Sequence, residues 1–364
     1  MNIENFNQIT IKFQKDITKD NLINHLNELV ENLANFVNQP QHPTYQQNIA
    51  NIRTNLKSIL EKSETNKYSP YSKEILDEIG FKNLRGIDLS NRIESSFLNN
   101  SITPSIAHQE ISGIQANFNK LFNALTSTNK NFEILGIKSN ELENNQSEIG
   151  IIIPRLAVKE KIDYFIKELQ EIKLIIGDFN ELAIGSRPEI ELKTIASSEY
   201  QILLNILPVT ATCLIISIEK LIKIYKDILD IRKARRELKE KGVPDENLSG
   251  IEQYANSKME NGITESIQEL ITKFGTNLED GRKRELEISL KYSMNKISNR
   301  IDQGYNFDIK MKIEESKKNK ETSQSEEDKL NEEYNKIITE KNQNLEFLKL
   351  TGESILSLPE SEKK

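Results

Sequence analysis

Apolar residues recur every three to four positions over most of this chain, a spacing that predicts a succession of amphipathic helices. Leu22, Leu26, Leu29, Leu33 and Val37 form the first clear stripe, capped by Thr18 or Asp20 and stopped before Pro40 and Pro43. Further helices are expected over 45–63, from Ser69-Pro70 onward, and around Leu89, Ile93 and Phe97. Another runs from Thr103-Pro104 down to Thr126, with Ile106, Ile111, Ile114, Phe118, Leu121, Phe122 and Leu125 on its apolar face. The same period returns over 156–184, 251–271 and 278–301. It also fits one long helix over 199–241, capped by Ser197 or Ser198 and kinked where Pro208 lacks an N–H.

Period-two stretches interrupt this pattern and predict strands. Ile9, Ile11 and Phe13 alternate with polar neighbours and read as a short edge strand. Phe132, Ile134 and Ile137 suggest another, and Ile149 with Ile151, Ile152 and Ile153 a buried one closed by Pro154. Ile190, Leu192 and Thr194 follow the Gly185-Ser186-Arg187-Pro188 break. Tyr305, Phe307, Ile309, Met311 and Ile313 give the cleanest alternation. The fold class is therefore mainly α: a multi-helix bundle with a minor sheet, occupying residues 1–313, with a weak internal boundary near 127–155. Residues 314–329 are so rich in Glu, Lys, Ser and Gln that a disordered linker is expected. Leu330, Tyr334, Ile337, Leu345 and Leu348 fit heptad spacing, broken at Lys341, so 330–350 reads as a short coiled-coil helix and 351–364 as a disordered tail.

The sharpest single feature is the 19-residue stretch 200–218, which holds no charge and approaches the roughly 20 residues needed to span a bilayer. Its Gln201, Asn205, Pro208, Thr210, Thr212 and Ser217 favour a buried central helix over a membrane span. Tyr200, Leu204, Leu207, Pro208, Cys213, Leu214 and Ile218 are its candidate core or membrane residues. Residues 219–241 then carry nine Lys or Arg against five Asp or Glu. Arg232, Lys233, Arg235 and Arg236, with a second cluster at Arg282, Lys283 and Arg284, are the candidate basic surface; i,i+4 pairing on a solvated face is the plainer reading. Arg155, directly after the isoleucine strand, is a candidate contact for a ligand or partner.

Charge and chemistry narrow the function by exclusion. A net charge of −7 argues against a general nucleic-acid binder, since phosphate contacts need clustered cations. One cysteine permits neither a disulfide framework nor a thiolate zinc cluster. His25, His42 and His108 lie far apart in sequence and suggest packing or surface roles rather than ligands. No phosphate loop, dinucleotide fingerprint or nucleophile elbow is present, so no cofactor or catalytic residue is assigned. The opening residues lack a basic and apolar leader pattern, and a cytoplasmic location is expected.

The leading expectation is a non-enzymatic helical scaffold or interaction protein, binding protein partners or itself through the tail heptads. One alternative is a conditional membrane protein that exposes 200–218; the layout is similar, in architecture only, to that of α-helical pore-forming toxins. A second alternative is an enzyme whose site is dispersed and leaves no local motif.

Overall fold

The computed structural model describes residues 2–196, 200–275, 279–314, 325–350 and 353–361. Among them, 11 α-helices and a small four-stranded antiparallel sheet make the fold mainly α with a minor β component. The chain divides into two compact units, Asn2–Glu141 and the residues from Leu142 onward. The cap positions Ser197 and Ser198 and the linker residues 315–324 lie outside the described residues.

The first unit is all helical: α1 Ile3–Lys19, α2 Leu22–Asn38, α3 Pro43–Lys62, α4 Pro70–Leu76, α5 Gly86–Asn99 and α6 Pro104–Ile134. The edge strand expected at Ile9, Ile11 and Phe13 is instead part of α1. Ile9, Phe13 and Ile17 are buried at a spacing of four, Ile11 lies off that stripe, and the Asn2 side chain caps the helix by accepting from Glu4 N at 2.8 Å. Phe132 and Ile134, expected in a strand, form the last turn of α6. Nothing breaks that helix until Gly136, whose φ of +70° suits a left-handed cap, with Ile137 N donating to Phe132 O at 2.9 Å. Phe13, Phe81 and Phe118 meet edge to face in the core, with ring centroids 4.8 and 6.1 Å apart.

The second unit is built on a sheet of order β2-β3-β1-β4, with β1 Gln146–Ile153, β2 Glu191–Ala196, β3 Tyr200–Ile206 and β4 Asn306–Lys312. β1 lies in the centre, Ile151 pairing with Ile202 on one side and Phe307 on the other. Ile149, Ile151, Ile153, Ile202, Leu204, Phe307 and Ile309 face one continuous apolar core. Helices α7 Ile162–Ile184, α8 Pro208–Glu240, α9 Ser249–Phe274 and α10 Asp280–Asp302 supply most of the rest of it.

The long helix expected over 199–241 is corrected here. Residues 200–206 form β3, because Ile202 and Leu204 alternate with Gln201 and Asn205 in register with the β1 isoleucines. Pro208 then opens α8 rather than kinking it, since a first-turn position loses no helical hydrogen bond to proline. The uncharged stretch is thus half strand and half helix. Cys213, Leu214 and Ile218 are at most 1% exposed within the core. Among the described residues, no helix is long and apolar enough to cross a membrane.

The end of the chain also differs from expectation. Helix α11, Glu326–Asn344, already takes in positions assigned to the linker, starting from a Ser325 cap that accepts from Asp328 N at 3.1 Å. It packs on α8 and β4, and its buried face is Asn331, Ile338 and Asn342 rather than the expected heptad seam; Leu330 is 45% exposed. Two asparagines on the buried face displaced the apparent seam by one position. After α11 the chain is extended, and Leu345, Leu348, Ile355, Leu356 and Leu358 are buried. Residues 353–361, expected to be disordered, therefore belong to the packed unit.

Candidate functional site

This extended segment, residues 345–350 and 353–361, lies along α8, α10 and β4 as a strap, and polar side chains grip its backbone. Asn306, at the start of β4, donates from Nδ2 to Leu348 O at 3.1 Å and accepts from Leu348 N at 2.8 Å. Asn299, near the end of α10, repeats the arrangement with Leu358, both bonds being 3.0 Å. A carboxamide carries a donor and an acceptor side by side, so it satisfies both backbone groups of one extended residue as a neighbouring strand does. Asn295 adds a bond to Pro359 O at 2.7 Å, and Asn256 on α9 accepts from Ser357 N at 2.9 Å.

Between the two clamps sits Asp302, the last residue of α10, which is fully buried. Its Oδ2 accepts from Ile355 N at 2.6 Å and from Leu356 N at 2.7 Å. Its Oδ1 accepts from Tyr225 Oη at 2.5 Å and Arg232 Nη1 at 2.6 Å, and Arg232 also reaches Tyr225 Oη at 2.6 Å. A buried carboxylate is tolerable here because an arginine pairs it and three further donors share its charge. Burial, with the Asp302 carboxylate adding to it, pushes the Tyr225 hydroxyl well above the ordinary phenol range, so it remains a donor.

Two clefts flank the strap. One, of about 410 Å³, is lined by Arg232, Lys233, Arg235, Arg236 and Lys239 of α8 and by Glu353 of the strap. The other, of about 810 Å³, brings Arg155 and Leu156 to the same side of the strap as Arg232, Asp302 and Gly304. Glu353 bridges Lys239 Nζ at 2.7 Å and Arg235 Nη1 at 3.4 Å, and the Lys239 bond holds its carboxyl below the usual range. Arg235 is anchored from behind by Glu252 at 2.6 Å.

The sequence candidates are thus partly assembled and partly dispersed. Arg155 and the 232–236 cluster, 77 positions apart from Arg155 to Arg232, line adjoining clefts. Arg155 also stacks 5.6 Å from the Tyr200 ring and lies 4.0 Å from Glu160. Leu204, Cys213, Leu214 and Ile218 are core, while Leu207 and Pro208 form the β3–α8 turn. Arg282 belongs to a different network: it pairs with Glu181 and Glu285, and Glu181 also accepts from Arg187 at 2.7 Å. Lys283 lies 3.8 Å from Asp280, and Arg284 is exposed.

Sequence reasoning missed Asp302, Asn299, Asn306, Asn295 and Tyr225. Their signal was a polar stripe, Asn295, Asn299 and Asp302, at helical spacing on α10. Such a stripe ordinarily marks a solvated face. Among the described residues, no group of three His, Cys, Asp or Glu side chains is placed to hold a metal ion. Comparisons with protein-family models, curated proteins and solved structures find no match to this chain.

Proposed function

We propose that this chain is a non-enzymatic interaction protein whose second unit grips an extended polypeptide segment. The observation that carries this reading is the pair of reciprocal clamps, Asn306 on Leu348 and Asn299 on Leu358, with the Asp302 carboxylate holding two amides between them. These groups bond the main chain and tolerate any side chain that fits, which is how surfaces built to hold polypeptide work. In this conformation the chain's own strap fills the groove. A second copy offering the same strap would be gripped in the same way, which makes self-association a corollary. The membrane alternative has less support, because 200–218 is divided between β3 and the buried first turns of α8.

The test uses the full chain with Ile355→Asp and Leu358→Asp, two changes that place charge in buried positions of the strap and release it. A fluorescent peptide with the sequence of residues 353–361 should bind this variant saturably, at about micromolar dissociation constant, and bind the unaltered chain far more weakly. Absence of saturable binding, with the helical circular dichroism of the variant intact, removes the reading. Light scattering of the same samples reads strap exchange between copies.

A further inference from the structure

The turn between β1 and α7 carries a surface that the gripping of an extended segment does not use. We propose that this turn docks the protein on an anionic lipid surface, its apolar tips entering the headgroup layer and its lysines meeting lipid phosphates. The contact is peripheral: no segment crosses the bilayer, and residues 200–218 stay in the core.

Leu156, in the short 3-10 turn Arg155–Val158, is 86% exposed, and Ile162, the first residue of α7, is 70% exposed. Ile166 follows one helical turn after Ile162 on the same stripe, and it and Tyr164 are exposed as well. Single apolar residues in water need no explanation, but this turn concentrates them. It also holds them in place. Val158 is buried, Lys161 N donates to Val158 O at 3.0 Å, and Lys159 and Glu160 in succession adopt φ of +50° and +53°, a region that residues with a Cβ rarely enter. Backbone strain that leaves Leu156 in water does nothing for the core, whereas it does present apolar tips at a fixed site.

The charges that remain after internal pairing are positive. Residues 155–167 carry Arg155, Lys159, Lys161 and Lys167 against Glu160 and Asp163, on a chain whose net charge is −7. Arg155 lies 4.0 Å from Glu160, so those two offset each other. Lys159 Nζ sits 4.7 Å over the Tyr164 ring, a contact that leaves its charge intact. Lys161 and Lys167 are exposed, with no carboxylate in ion-pair reach among the described residues. Three lysines thus stand against the single carboxylate of Asp163, interleaved with the apolar tips. Lysine, a mobile point charge, suits fluid phosphates, and protruding apolar side chains suit a boundary that yields around them. A polypeptide partner would call for fixed donors and acceptors like those of the asparagine clamps. Arg155 and Leu156 also line the cleft of about 810 Å³ beside the strap, so docking would set that cleft at the lipid surface.

The test is flotation of the full chain with phosphatidylcholine vesicles that contain or lack phosphatidylglycerol. The protein should float with the anionic vesicles and stay behind with the neutral ones. Lys161→Gln with Lys167→Gln should lower the bound fraction by about tenfold at low salt, and Leu156→Glu with Ile162→Glu should abolish binding. Lys19→Gln with Lys57→Gln removes the same charge from exposed positions of the first unit and should change little. The chain contains no tryptophan, so Leu156→Trp supplies a single reporter whose emission should shift to the blue on anionic vesicles. Absence of flotation overturns the proposal, as does equal flotation with neutral vesicles or an equal loss in the Lys19 and Lys57 control. Flotation without the blue shift assigns the contact to another surface and overturns it too. A soluble polyglutamate that shifts the reporter as far as the vesicles do identifies an acidic polypeptide as the occupant and overturns the lipid assignment. The strap takes no part in these measurements, so their outcome leaves the gripping reading to its own test.

Discussion

The Tyr225 hydroxyl of α8 donates to Asp302 Oδ1 at 2.5 Å, joining two helices across 77 positions of sequence. That bond places the Asp302 carboxylate where its other oxygen meets the amides of Ile355 and Leu356. Core and strap are therefore coupled through one buried charge. Asp302→Ala should destabilise the chain by about 3–5 kcal/mol, because Arg232 would be left buried without its carboxylate. Tyr225→Phe should cost only about 1–2 kcal/mol, the worth of a hydrogen bond to a charged group. Urea denaturation of the two variants measures both, and an equal loss would show that the charge pair adds nothing beyond the hydroxyl bond.

The two asparagine clamps should separate by amide exchange. Asn299→Ala should speed exchange at Leu358 by about tenfold or more, from the loss of about 1.4 kcal/mol of local protection, and leave Leu348 nearly unchanged. Asn306→Ala should do the reverse. If each variant loosens both sites equally, the strap is held as one unit and not by separate grips.

Glu181 gives the second unit a sensitivity to acid. Burial alone would raise its carboxyl pKa, but bonds from Arg187 and Arg282 outweigh burial and hold it below the ordinary value. A folded-state pKa lower than the unfolded one contributes stability that is present above the unfolded value and lost as pH falls through the folded one. Arg187→Ala should therefore destabilise the chain at neutral pH by roughly 2 kcal/mol, less than a fully buried pair because Arg187 is 41% exposed. The difference between variant and parent should narrow as pH falls below the carboxylate range. Thermal melts at stepped pH values report the trend.

Cys213 is fully enclosed in the core, and burial pushes its thiol pKa far up. It should react with an aromatic disulfide reagent only after unfolding, with a rate in native buffer set by global opening. Fast stoichiometric labelling of the native protein would show that the β3–α8 segment opens on its own, and would restore the membrane alternative.

Legibility in the sequence followed the range of the interactions. Ile149 and its isoleucine neighbours announced a strand because each covers one face of a pleat, and α2 announced itself by five apolar residues on one stripe. Where few residues carried the pattern, it misled. Ile9 and Phe13 satisfy periods of both two and four, and the Asn2 cap that favours the helix lies outside that run. The seven uncharged positions 200–206 fit either period, and pairing with β1 decides between helix and strand.

The sequence by itself determined a helix-rich body, a strand at 149–153, a break at Pro188 and a basic second half of α8. All of these follow from contacts within a turn or a pleat, or from composition. Only the tertiary structure decided that 200–206 is a strand, that Asn331 and Asn342 join Ile338 on the buried face of α11, and that residues 353–361 are gripped rather than loose. The clamps on Leu348 and Leu358 close over 42 and 59 positions of chain. An asparagine that will bond a distant backbone is locally indistinguishable from one that bonds water, and the fold alone determines which partner it meets.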